Sequence, residues 1–153
     1  MEAAKTAYDD IKDAVGVRVA CQYLSEIKKI ADSVFWSLLL DLGYLDPRKS
    51  DSVKFKEKDY VTRPEPETSY RGFHLYLQIP TEIDIYGNKQ MVLCEVQIRT
   101  EIQHVWSTRS HDQVFKPKGE VSPDDLLEMS VISDQLHGSD FFLDKLQRKL
   151  VFV

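Results

Sequence analysis

Glu95 is a carboxylate in a run that otherwise reads as strand interior, between Val92, Leu93, Val96 and Ile98. A carboxylate turned into a core without a partner is costly, so its surroundings have to supply one. Period-two alternation puts Glu95, Gln97 and Arg99 on one face of the strand and Val96 and Ile98 on the other. Pattern alone leaves that polar face either solvated or the floor of a site. A second acid, Asp13, stands at the mouth of an earlier strand. Inward-facing acids of this kind can take up a proton or hold a hard cation. Asp13 alone has the plainer reading of a strand-entry or helix-end residue.

Several elements have to position these residues. Val15, Val17 and Val19 alternate with Gly16, Arg18 and Ala20, which predicts a first strand. Ile27, Ile30, Ala31, Val34, Phe35, Leu38, Leu39 and Leu42 follow helical spacing over about 26–42, with Ser25 as cap and Gly43 as stop. A short strand is expected near Val53 and Phe55, and an exposed loop over Thr62 to Ser69, where Pro64 and Pro66 fall. Phe73 to Ile79 and Gln90 to Ile98 read as a hairpin turning at Tyr86-Gly87-Asn88. Thr100 caps a helix reaching about Val114. Ser122 caps another that begins at Pro123 and ends at Gly138, before a last helix over Asp140 to Leu150. This order implies an α/β or α+β domain, with a mixed or antiparallel sheet flanked by helices.

The bulk numbers set outer limits. A chain of 153 residues fits one domain, since domains run to about 100–200 residues. Its 42% hydrophobic and 29% charged content is that of a soluble globular protein. The net charge of −5 gives no broad attraction to nucleic acid or acidic lipid, although a local basic pocket can sit beneath that average. Cys21 and Cys94 lie in apolar runs and read as buried free thiols. No apolar run approaches the roughly 20 residues that cross a bilayer, and the N-terminus lacks a secretory pattern. A cytoplasmic setting without membrane contact is the expectation.

The stretch Glu95-Val96-Gln97-Ile98-Arg99-Thr100, followed by Trp106 and His111, closely resembles the RelA/SpoT-type (p)ppGpp synthetase (alarmone synthetase) family. Asp13-Ala14-Val15-Gly16-Val17-Arg18 is similar to its D-x-x-G-x-R segment, and Asp59-Tyr60-Val61 with Pro64 to its D-Y-I-x-x-P segment. Tyr70-Arg71-Gly72-Phe73-His74 resembles its G-Y-x-S-L-H motif. The likeness runs from about Asp10 to Lys116, with terminal helices over about 123–150 compatible. It implies a nucleotidyltransferase-like fold that moves pyrophosphate from ATP to the ribose 3′-hydroxyl of GDP or GTP. Asp13 and Glu95 would hold Mg²⁺, and Glu95 would also take the proton of the attacking hydroxyl. Arg18 would stack on adenine and Tyr70 on guanine. His74 would touch phosphate or ribose, and His104 would offer a polar group to the guanine edge. Gln97 and Arg99 would support the floor, Trp106 would be core, and His111 would cap or buttress the site. A homo-oligomer is implied by the resemblance alone.

Three departures shape the expectation. The family's acceptor loop reads P-K-x-N-G-Y, whereas this chain has Pro64-Glu65-Pro66-Glu67-Thr68-Ser69-Tyr70, with acids where a basic residue stood. Arg63 and Arg71 are the nearest replacements for that charge. The S-L-H element has become Gly72-Phe73-His74, and Ser107 to His111 lacks the usual Glu before the histidine. The upstream basic segment that grips ATP phosphates has no counterpart in the dozen residues before Asp13, where only Lys5 and Lys12 are basic. Two alternatives therefore stand beside the pyrophosphokinase. One is a catalytically weakened nucleotide-binding relative, and the other transfers pyrophosphate to an adenine nucleotide or a tRNA end.

Overall fold

Alternate valines make β1 (Val15–Cys21), and Leu24–Asp41 follows as α1. The structure, a computed structural model, describes residues 15–41, 54–66, 68–81, 90–114 and 121–150. Asp13, Gly43, Val53, Glu67, the turn at Tyr86-Gly87-Asn88 and the linker from Lys116 lie outside the described residues. The chain continues through β2 (Lys54–Asp59), β3 (Phe73–Thr81), β4 (Gln90–Thr100), α2 (Glu101–Val114) and α3 (Pro123–Leu150).

The sheet runs β1-β4-β3-β2. β1 lies parallel to β4, with Gly16 opposite Glu95 and Arg18 opposite Gln97. β3 is antiparallel to both β4 and β2 and pairs His74 with Gln97 and Lys58. The sheet is therefore mixed, and the expected hairpin strands do pair. Alternation gives it two unlike faces. One face packs Phe73, Leu75, Leu77, Val96 and Ile98 against Ile27, Ala31 and Phe35 of α1 as the buried core. The other carries His74, Tyr76, Glu95, Gln97 and Arg99.

Hydrogen bonds set the helix starts. Ser25 does not cap α1, which begins a residue earlier. The Glu26 carboxylate instead accepts from the Gln22 and Tyr23 amides at 3.0 and 3.1 Å. The free Ser25 amide donates to Asp144 Oδ1 of α3 at 2.9 Å, so a distant acid does the work expected of a local hydroxyl. α2 has the expected cap: Gln103 donates its amide to Thr100 Oγ1, and the Thr100 amide donates to Gln103 Oε1, both at 3.1 Å. Ser122 and Asp125 make the same reciprocal pair at the start of α3. Cys21 and Cys94 are free; Cys21 is buried, while Cys94 is only partly so.

α3 is one helix through Gly138, not two. Its inner face is tied down on both sides of the glycine. Ser133 donates to the Ser69 carbonyl at 2.7 Å, Asp140 accepts from the Thr100 hydroxyl, and Asp144 holds the start of α1. Those contacts outweigh the roughly 1 kcal/mol that a mid-helix glycine costs relative to alanine. A Cβ built on Gly138 meets nothing within 4 Å. Gly138→Ala should therefore raise stability by about 1 kcal/mol in denaturant unfolding. A loss of stability would mean that the helix needs its break after all.

Candidate functional site

The polar face of the sheet is the floor of a cavity of about 480 Å³. α2 walls it with Ser107, Ser110 and His111, and the loop between β2 and β3 with Tyr60, Glu65, Thr68 and Tyr70. Among the described residues, Arg18, Lys58 and Arg99 bring three permanent cations to its lining against the single carboxylate of Glu65. The net charge of −5 thus hides a locally positive hollow.

Glu95 sits at the edge of that floor, 9% exposed, with its oxygens occupied by donors. His74 Nδ1 lies 2.8 Å from Oε1, and Gln97 Nε2 donates to Oε2 at 2.8 Å. The Tyr76 hydroxyl also bonds Glu95, and this bond, with burial foremost, pushes the phenol's pKa up. Arg99 fixes the Gln97 amide. A guanidinium can only donate, so Oε1 must face Arg99, which leaves Nε2 for Glu95. Arg99 itself is 2% exposed and bonds neutral groups, Gln97 and Ser107. Its Nε has no partner among the described residues. A buried cation with spare donors at a cavity suits an anion.

His74 links this acid to the loop. Its Nε2 is 2.6 Å from the Tyr70 hydroxyl. Burial pushes the Tyr70 phenol up to about 12, so it keeps its proton and donates. Burial, aided by Arg99 and Lys58, holds His74 below the ordinary histidine range against the opposing pull of Glu95. His74 is therefore neutral at pH 7, with its proton on Nδ1 toward Glu95 and Nε2 accepting from Tyr70. The Arg99 guanidinium lies 5.3 Å from the Tyr70 ring centre, and the Tyr60 ring meets its edge at 5.7 Å.

Arg18, Tyr70, His74, Glu95, Gln97 and Arg99 thus come together on or beside one floor. His104 does not join them: it is absent from the lining, and its buried Nδ1 has no partner among the described residues. His111, two turns further along α2, lines the cavity instead. Arg71 does not replace the lost loop charge. It turns away, donating to the Val61 carbonyl and to Asp134 at 2.8 Å each. Arg63 is exposed and outside the lining. Trp106 is buried, as expected of a core residue. Lys58 and Tyr76 went unnoticed in the sequence, although strand alternation from His74 puts Tyr76 on the same face. Lys58 needed the β2–β3 register, which no local pattern encodes.

Residues 1–120 match the model of a family described as a region found in RelA / SpoT proteins. The chain belongs to that family. It is 27% identical over 135 residues to GTP pyrophosphokinase YwaC of Bacillus subtilis (strain 168), covering 86% of this chain and 57% of that protein. Against GTP pyrophosphokinase YjbM of the same organism it is 26% identical over 113 residues, covering 74% and 46%. The chain spans about half the length of these curated relatives. The solved structure of small alarmone synthetase 1 from Bacillus subtilis bound to its product pppGpp matches with a TM-score of 0.70 at 19% identity, over 97% of this chain and 72% of that one. Small alarmone synthetase 2 from the same organism matches at 0.69 and 21%, over 97% and 76%. The RelA/SpoT fold is therefore that of the chain. Among the described residues, no helix is long and apolar enough to cross a membrane.

The neutral state of His74 carries a pH consequence. Between the ordinary histidine pKa and the lower folded value, the folded protein binds fewer protons than the unfolded chain. Stability should therefore fall as pH drops through that window. Nitrogen NMR should find the Nδ1–H tautomer at pH 7, and His74→Gln should lessen the loss of stability between pH 7.5 and 5.5. An imidazolium at pH 7 would contradict the assignment.

Proposed function

We propose that the chain is a pyrophosphokinase domain that transfers pyrophosphate from ATP to the 3′-hydroxyl of GDP or GTP. The observation that carries this is Glu95: a buried acid, held by donors, beside a hollow lined by Arg18, Lys58 and Arg99. In the proposed step the 3′-oxygen bonds to the β-phosphorus of ATP, the bond from that phosphorus to the α-bridging oxygen breaks, and AMP leaves. Glu95 takes the hydroxyl proton, and Arg99 faces the charge on the phosphates. Positioning and fixed charge dominate transfers of this kind.

Arg18 supplies a planar cation for adenine, and Tyr70 a ring for the acceptor base. Glu65 repels phosphate, so the phosphates are proposed to lie against Arg99 on the floor and away from Glu65. Glu95 would hold Mg²⁺ by exchanging one of the donors now on its oxygens for the cation, a hard ion suited to carboxylate oxygen. Asp13 is the proposed second carboxylate. Bound Mg²⁺ would offset charge on the transferred group. His104 stays a weaker candidate for the acceptor base. ATP and GDP or GTP are the proposed partners, in a cytoplasmic setting; a homo-oligomer rests on the resemblance alone.

One observation favours a second reading. Both Glu95 oxygens are engaged by His74 and Gln97, and Glu95 is not among the residues lining the cavity. A chain fixed in that arrangement would bind nucleotides without turnover, which calorimetry together with an idle transfer assay would reveal.

Glu95→Gln keeps the shape but removes the base. With labelled ATP, Mg²⁺ and GDP or GTP it should lower transfer by roughly 10²–10⁴-fold, with the fold intact by circular dichroism. Equal rates would take Glu95 out of the mechanism. Arg18→Ala should raise the KM for ATP roughly tenfold, about the worth of one stacking contact. An unchanged KM would move adenine elsewhere.

A further inference from the structure

Helical spacing brings Gln103 and Trp106 to one face of α2, and Ser133 and His137 to one face of α3. Together with Arg71, which directly follows Tyr70, these side chains line a second, small cavity. Seven buried side-chain nitrogen or oxygen atoms have no hydrogen-bond partner among the described residues. Four of them belong to this lining: Arg71 Nε, Gln103 Nε2, Trp106 Nε1 and His137 Nδ1. Arg71, Gln103 and Trp106 are only 9%, 3% and 6% exposed, so bulk water does not serve them. We infer that the cavity binds a monatomic anion, chloride in ordinary solution, held by these nitrogens.

The chemistry of the lining favours an anion over water. The Arg71 Nε and the Trp106 indole nitrogen can only donate. Gln103 Oε1 accepts from the Thr100 amide at 3.1 Å, which fixes the side-chain amide and makes Nε2 a donor as well. Burial, joined by the Arg71 charge, holds His137 below the ordinary histidine range, so its ring is neutral at pH 7 and can carry its proton on Nδ1. The Ser133 hydroxyl is already given to the Ser69 carbonyl at 2.7 Å. A water molecule has two lone pairs and cannot satisfy all of these donors, whereas a spherical anion can accept from each of them. Charge agrees. Arg71 pairs with Asp134 at 2.8 Å, but the guanidinium side chain is 10% exposed and the carboxylate side chain 65%, so the buried member of the pair is the cation. Size agrees too. The centre of a water-sized sphere can range over about 10 Å³ there, which suits one atom and excludes phosphate or sulfate. Such an ion joins Arg71 to both helices, adding to the Ser133–Ser69 and Arg71–Asp134 bonds. The cavity shares no lining residue with the hollow beside Glu95, and the inference does not depend on the proposed reaction.

Urea unfolding in sodium chloride against sodium gluconate at equal ionic strength tests this on the whole chain. Raising chloride to about 0.2 M should increase the folding constant roughly tenfold, as a site with a Kd of about 20 mM would give. Trp106→Phe keeps most of the ring and removes one donor, so its response should shrink to about twofold or less. Gln103→Glu keeps the oxygen that Thr100 uses and puts a carboxylate oxygen in place of Nε2. With an anion of its own at the cavity, that variant should lose the response. Crystals of the wild type grown in bromide should show an anomalous peak among the four nitrogens. A folding constant that ignores chloride, or one that rises equally in the wild type and both variants, overturns the inference. Should the variants fail to fold, the bromide map decides: a cavity without the peak overturns it equally.

Discussion

Glu95 has given up nearly all its water, and much of the site follows from how that loss is made good. A buried acid needs donors, and only a few side chains of the sheet face can reach it. Gln97, two residues on, reaches back because Arg99 takes its carbonyl oxygen. His74 reaches across from β3 because the antiparallel register sets it opposite Gln97. Once Nδ1 is committed to Glu95, Nε2 can only accept, and that draws in the Tyr70 hydroxyl. The order from Arg99 to Tyr70 is a chain of donors and acceptors in which each member's orientation is set by its neighbour.

The same arrangement explains how an acidic protein can present a basic hollow. Lys58 from β2, Arg18 from β1 and Arg99 from β4 converge because their strands lie in one sheet and their positions share one face. Charge averaged over the sequence cannot register such convergence, since it depends on pairing and not on content. Arg99 is the sharpest case. It is buried, its assigned bonds run to uncharged groups, and one of its donors is free among the described residues. Water would normally satisfy such a group. Held this way, it is prepared for an anion at little further ordering cost.

Much of the fold was legible in the sequence because the local signals were strong and unopposed. The helical period of α1, the alternation in β1, β3 and β4, and the caps at Thr100 and Ser122 all match the structure. Legibility failed where distant contacts decide. Ser25 looked like a cap, but Asp144, 119 residues away, supplies the oxygen. Gly138 looked like a break, but Ser133, Asp140 and Asp144 hold α3 on either side of it. In the site, the face carrying Glu95, Gln97 and Arg99 was readable, yet whether it was wet or functional was not. That depended on α2 and the β2–β3 loop closing over it. Arg71 was misjudged as a spare charge because nothing local announces a partner such as Asp134.

The acidic loop can be reconciled with a phosphate-binding site by geometry. Glu65 would oppose a polyphosphate if the cavity were uniform, but its cations and its acid come from different elements. Arg18 and Arg99 rise from neighbouring strands of the floor, whereas Glu65 comes from the loop that also presents Tyr60 and Tyr70. The Glu65 carboxylate is further tied down by the Thr68 hydroxyl at 2.6 Å, which keeps its charge on the loop side. A ligand with an aromatic ring at one end and anions at the other satisfies both sides at once. A simple anion gains only from the floor, and a bare ring only from the loop. Under the proposed function, Glu65 therefore narrows the choice of ligand by keeping phosphate off its own side of the cavity and against the cations of the floor.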